Sequence, residues 1–466
     1  MNRSLQSVLV VGIMIVAAFS AVSFAVSAKP TSFFDKFMET DDKAAETESP
    51  TWTVIVHLCG DNNLESWAVA DLEEMEKVGS KNGVTVVVLM DTFSYFEGTH
   101  WYVIEPGSDH VDVEADRNDC DCEMVCGGCP GELNMASGKV LQYTVKTAVE
   151  KYPADKYMVV LWNHGGGWKG VCYDDSSELL NGVYTDRLST NETADALAAV
   201  EKEITTTGID TDFELTMLSY DACLNGMIEV VYENRNVAKY MTASLTLIPV
   251  QGYAYDKVLE NLTNLPRLSD VEFGKKIVDS YVEYYSMCAG NGIEYYGDAQ
   301  LSLFDLSKAG ALGDAVDALA TELLDGGYAD TDMYRGAIES AESQTPKIEV
   351  DGEQLPFVDL GSYANLLGEK IPELVKLTDA VEAGVSSTVL YTNNVASVNG
   401  GIMRTTGITI HFTCSWNYLN DFYPLETEQQ LIDAGVLNVY GNMDFVLDTN
   451  WDEFVYTFSK LYEFTE

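Results

Sequence analysis

Two residues of this chain have the types and spacing that acyl transfer requires. His164 follows an apolar run the length of one buried strand, residues 158–162, and stands before Gly165, Gly166 and Gly167. A run of that kind ends at a sheet edge, so the imidazole is presented there. The glycines leave the neighbouring N–H groups open to a substrate carbonyl. Cys223 lies 59 residues further on, just past a second apolar strand at 213–219. A thiol attacks as its thiolate, and a nearby imidazole both lowers its pKa and passes the proton to the leaving amine. A helix expected over 224–232 places Cys223 at a helix start, which favours the thiolate further. The N–H groups of Gly165 and Cys223 are the candidate oxyanion donors. Asp221 is either a helix cap or a cleft carboxylate able to hold a basic side chain. A cysteine after a strand is by itself more often a small buried group. The pair, at two strand ends with glycines around the histidine, points to catalysis. His57 and His411 lie inside apolar strand patterns and read as core residues.

These groups need a sheet to hold them. Residues 53–58 form a strand pattern, 64–78 a helix pattern with acids in its first turns, and 84–90 another strand. That spacing makes a right-handed crossover and a parallel sheet. Four strands, beginning near Thr53, Val84, Met158 and Phe213, therefore point the same way, and ligands of open α/β sheets bind off their C-terminal ends. Residues 93–113 read as a hairpin-like excursion, 192–205 as a helix and 240–244 as a short strand. From about residue 300 the pattern restarts with a strand at 301–306, a helix at 313–324 and a late strand at 407–412.

Composition limits the partners. The chain has 466 residues, 46% of them apolar, with 74 acids against 27 bases for a net charge of -47. Such a chain repels nucleic acid and anionic membranes, and its field draws in cations. Residues 1–28 read as a signal peptide ending in Val26-Ser27-Ala28, or as an uncleaved anchor, the single route to a membrane. Residues 29–50 are an acidic linker or pro-segment. The body of the protein is therefore expected outside the cytoplasm. Nine cysteines fit an oxidising compartment and leave at least one thiol over. Cys120, Cys122, Cys126 and Cys129 read as two local disulfides, with a metal site or free thiols as alternatives.

The motifs W-N-H-G-G-G-W at 162–168 and D-A-C-L-N-G-M at 221–227 resemble the clostripain family of cysteine peptidases, in the caspase-like clan. D-N-N-L-E at 61–65, E-L-N-M at 132–135, Y-P-A-D-K-Y at 152–157 and N-W-D-E-F at 450–454 extend the resemblance over nearly all the mature chain. It implies an α/β fold, a caspase-like three-layer sandwich with a mostly parallel central sheet. The catalytic domain would be 51–299, with an additional α/β region, 300–466, packed on it. It implies a His164/Cys223 dyad and cleavage of peptide or protein substrates after arginine or lysine, with Asp221, Gln251 and Ser244 lining the substrate pocket. Gln251 stands where the family loop carries a second acid. Its neutrality weakens the expected basic preference, and Asp256 is the nearest candidate to compensate. The resemblance further implies a zymogen cut between the dyad residues, with Lys169 or Arg187 as candidate sites. The chemistry needs no cofactor, though some relatives use calcium, for which the acidic loop at Asp174 and Asp175 is the candidate. The alternative to a peptidase is a catalytically silent surface binding or adhesion module on the same fold.

Overall fold

The computed structural model describes residues 51–460, apart from 94–97, 108–132, 176–185, 266, 292–298, 330, 351–352, 396–403 and 413–439. The export segment, the acidic linker and the four clustered cysteines fall outside the described residues. Eight strands form the main sheet: β1 (Trp52–Gly60), β2 (Val84–Thr92), β3 (Gly98–Val103), β4 (Lys156–Trp162), β7 (Leu215–Asp221), β8 (Tyr240–Ala243), β9 (Gln300–Asp305) and β12 (Val389–Asn394). Their spatial order is β12-β9-β8-β7-β4-β1-β2-β3. The five strands from β2 to β8 are parallel, while β3, β9 and β12 pair antiparallel to their neighbours. The sequence-expected excursion after β2 is thus an edge strand, β3. The strand expected at 301–306 and β12 both belong to this same sheet.

Parallel strands joined by helices are covered on both faces, so their sequences are apolar almost throughout. In β1, Trp52, Val54, Val56 and Leu58 face helices α1 (Glu65–Val78), α5 (Tyr255–Asn264) and α6 (Asp270–Gly290). Ile55 and Cys59 face the opposite layer, formed by α2 (Gly138–Lys151), α3 (Thr190–Thr207), α4 (Ile228–Glu233) and α7 (Ala309–Asp325). Two helices start at capping boxes, Ser189 with Glu192 and Ser269 with Glu272, which satisfy end N–H groups and fix where each helix begins.

Two small sheets attach to this frame. β5 (Val171–Asp174) and β6 (Asp186–Leu188) form a hairpin arm after the glycine run, and β10 (Lys347–Val350), β11 (Glu353–Asp359) and β13 (Thr409–His411) form the other. The Thr409 N–H donates to the Gly226 carbonyl at 3.1 Å, so the late strand supports the segment just after Cys223. His57 and His411 are buried core residues, as their strand patterns indicate. Burial pushes their pKa values down to about 4 and about 3.

One expected element is shorter than its pattern. The helix after Cys223 begins only at Ile228 and spans six residues. Leu224 takes a φ of 68°, and the N–H groups of Leu224 and Gly226 donate to the carbonyls of Thr246 and Ser244. Cys223 therefore sits in a turn laced to the 244–248 segment, and the helix after it starts too late to serve its thiol.

Candidate active site

The register of the sheet positions the two reactive groups. Trp162 and Asp221, the last residues of adjacent strands β4 and β7, are paired partners. His164 and Cys223 each follow two residues beyond that point, on the C-terminal rim where the sequence placed them. Gly165 packs directly on the cysteine. A Cβ there would lie 2.2 Å from the Cys223 carbonyl oxygen and 2.6 Å from its nitrogen, so only glycine allows this approach.

Cys223 is half-buried, and its thiol is held by backbone. The Ile248 N–H points at Sγ from 3.3 Å. Burial pushes the thiol pKa up, and the N–H groups of Ile248 and Gly165 work against that by favouring the thiolate. His164 is half-buried; burial lowers its pKa, with Asp175 opposing. Its Nε2 lies 2.7 Å from the Asn63 side-chain oxygen, the contact of an N–H donor, which leaves Nδ1 as the basic nitrogen. The Tyr173 ring stands edge-on to the imidazole at 6.4 Å.

The polar lining is less open than the sequence alone implies. Asp221 is 3% exposed, and its Oδ2 accepts bonds from the Tyr253 N–H at 3.0 Å and the Tyr255 hydroxyl at 2.9 Å. Burial raises its pKa to about 7. Gln251 is half-exposed on the turn beside it. The Ser244 side chain is buried, and its hydroxyl engages Thr246 across a tight turn. Asp256 leans toward Lys257, 3.5 Å away. Lys169 and Arg187 are held in ordered structure, with Arg187 Nε donating to the Lys169 carbonyl. Asp174 is buried, and its Oδ2 accepts the Met135 N–H. Asp175, beside it, is exposed.

Three residues escaped the sequence reading. Asn63 was visible only as part of the D-N-N-L-E motif, Ile248 contributes through its backbone, and Tyr173 belongs to an arm with no catalytic signature of its own. A separate group, His57, Cys59 and Cys172, gathers its ligand atoms within 4.8 Å of one another but is sealed in the core.

A sequence profile described as the clostripain family matches residues 56–457. Clostripain of Hathewaya histolytica is 26% identical over 328 residues, which cover 61% of this chain and 59% of that protein, so the chain spans under two thirds of this relative. An inactive zymogen C11 protease from Parabacteroides distasonis superposes with a TM-score of 0.56 at 17% identity, over 85% of this chain and 97% of that one. A secreted C11 cysteine protease from Bacteroides thetaiotaomicron, solved with an irreversible peptide inhibitor, gives 0.56 at 20% identity over 86% and 99%. Sheet order, layers and rim define a caspase-like α/β scaffold. The chain belongs to the clostripain family of cysteine peptidases.

Proposed function

We propose that this protein is an exported cysteine endopeptidase that cleaves after arginine or lysine, with Cys223 as nucleophile and His164 as acid and base. The observation that carries the reading is the thiol's setting: a half-buried cysteine whose sulfur is faced by two backbone N–H groups, just past the strand that neighbours the one delivering a half-buried histidine. Nδ1 of His164 accepts the thiol proton as sulfur attacks the scissile carbonyl. The carbonyl oxygen becomes an oxyanion met by the N–H groups of Gly165 and Cys223, each such donor supplying about 3 kcal/mol. The amine then leaves with the proton from His164, and water, deprotonated by the same imidazole, releases the acid. Asn63 fixes the imidazole and its tautomer.

Basic specificity rests on Asp221 and on the chain's net charge of -47, which concentrates cationic peptides near the rim. Export rests on residues 1–28. Among the described residues, no helix is long and apolar enough to cross a membrane. Calcium enters the proposal as a structural ion. Asp61, Asp91 and Asp174 bring carboxylate oxygens within 4.8 Å of one another, a hard donor set suited to calcium rather than zinc. Bound there, the ion would steady the loop bases under Asn63 and Tyr173 and take no part in bond making.

The test is hydrolysis of arginine, lysine and uncharged P1 reporters by wild type and Cys223→Ala. Loss of turnover in the variant supports the peptidase. An inert wild type whose Cys223 resists a peptidyl electrophile would favour the silent binding module.

A further inference from the structure

Behind the rim, on the α1 face of the sheet, a second carboxylate meets Asp221. Asp71, on α1, is 2% exposed. A Cβ at Gly252 would lie 2.8 Å from Asp221 Oδ2 and 2.9 Å from Asp71 Oδ2, so both groups converge on one point. Gly252 has a φ of 59°, and its N–H closes a turn onto the Pro249 carbonyl at 2.9 Å. That turn joins Ile248, which touches the Cys223 sulfur, to the carboxylate pair. The pair is therefore part of the same wall as the nucleophile.

The hydrogen bonding is lopsided in a way that a cation would correct. The Trp162 indole N–H donates to Asp71 Oδ2 at 2.6 Å, and both donors to Asp221 reach the same oxygen, Oδ2. Asp221 Oδ1 is buried with no partner, and so is the side-chain oxygen of Gln251. An unmet buried carboxylate oxygen is costly, and a guanidinium with five donors in a planar fork suits it well. Among the described residues, no resident cation does this work. Lys77 acts on Asp71 but is mostly exposed and sits 3.7 Å from Glu74. The other ionisable neighbours are Glu74, Tyr253, Tyr255, Asp256, Tyr284 and Tyr285, none of them a cation.

We infer that Asp71 is a specificity-determining residue, the second carboxylate of the P1 pocket, which with Asp221 receives the guanidinium of a P1 arginine. This deepens the proposed basic specificity and rests on it. Burial raises both pKa values, with Asp221 adding to the rise at Asp71 and Glu74 to that at Asp221, so the free pair retains a proton that a solvated carboxylate would have lost. Arrival of the guanidinium drives the retained proton off to solvent. Binding of a cationic P1 therefore releases a proton and strengthens as pH rises, whereas a neutral P1 does neither.

The experiment compares arginine with citrulline, its uncharged isostere, as P1 in otherwise identical reporters, for wild type and Asp71→Asn from pH 5 to 8. The expected result is an arginine kcat/KM lowered 10- to 100-fold in the variant, mainly through KM, while citrulline turnover changes no more than a few-fold. The arginine-to-citrulline ratio should climb with pH in wild type and flatten in the variant. Equal losses on both reporters, or an undiminished arginine preference, would overturn the role of Asp71 alone. A wild type with no arginine preference would sink the basic specificity as well. Should Asp71→Asn fail to fold, calorimetry of benzamidine binding to wild type in buffers of different ionisation enthalpy decides: proton release supports the pair, and its absence overturns it.

Discussion

The nucleophile turn and the carboxylate pair lie on either side of one short loop, residues 248–252, and they are built on opposite principles. Cys223 is partly exposed and is held by main chain: Ile248 N–H on its sulfur, Gly165 packed against its backbone, Leu224 and Gly226 bonded to the next strand's exit. Asp71 and Asp221 are buried and held mostly by side chains, an indole and a tyrosine hydroxyl, with one main-chain N–H, that of Tyr253, on Asp221. Main-chain support fixes the sulfur at the rim without enclosing it in side chains. Side-chain support sets up a charge imbalance that an incoming cation relieves. On the proposed roles, reaction and recognition are separate structures that meet at a turn, and substitutions should separate them.

The largest effect is expected at the nucleophile. Cys223→Ala should lower kcat/KM by at least about a thousandfold on every reporter, as loss of a covalent nucleophile does. Gly165→Ala should come next, about a hundredfold, because the added methyl collides with Cys223 backbone atoms that cannot retreat. Overpacking of that kind also costs about 1–3 kcal/mol of stability, readable in urea melts. Both changes should hit arginine and citrulline reporters alike. A Gly165→Ala enzyme impaired only on arginine would break the separation.

Asp221→Asn should do the reverse, losing arginine turnover while gaining stability. The folded-state pKa of Asp221 is raised to about 7 from 3.8, so the folded protein holds a proton that the unfolded chain has released. Stability therefore falls as pH rises between those values, and the gain from asparagine is absent below about pH 4 and complete above about pH 7. Its size there is on the order of a few kcal/mol, by the usual value of a pKa unit. Thermal melts of both proteins at pH 4 and pH 8 check this, and equal Tm differences at the two pH values would contradict it. Asn63→Ala is expected to be milder, about tenfold in kcat with KM little changed, since the imidazole loses an orienting partner and keeps its chemistry. Calcium removal should be smallest, a lowered Tm restored by adding calcium, with no change in the arginine-to-citrulline ratio.

The same division explains what the sequence disclosed. His164 and Cys223 were legible because each ends an apolar strand, and strand ends on a parallel sheet share a rim. Their support was legible in part: three glycines after the histidine announced a close approach, but the Ile248 N–H carries no side-chain signal. Helix periodicity misplaced the start of the helix after Cys223, because the turn's N–H groups are claimed by residues 244 and 246, a tertiary contact that pattern does not encode. Asp71 was invisible for a stronger reason. It lies 150 positions before Asp221, on a helix where an acid reads as solvated surface, and only the packing of α1 beside β4 brings them together. Asp256, nearer in sequence to the pocket loop, leans on Lys257.

The central claim, that Cys223 is the nucleophile activated by His164, is tested most directly by intact-mass and peptide mapping after treatment with a lysyl or arginyl chloromethyl ketone. The account predicts a single adduct, on Cys223 among the nine cysteines, formed more slowly in His164→Ala and absent from Cys223→Ala. An adduct on a different cysteine that abolishes activity, or full hydrolysis by an enzyme whose Cys223 stays unmodified, would contradict it.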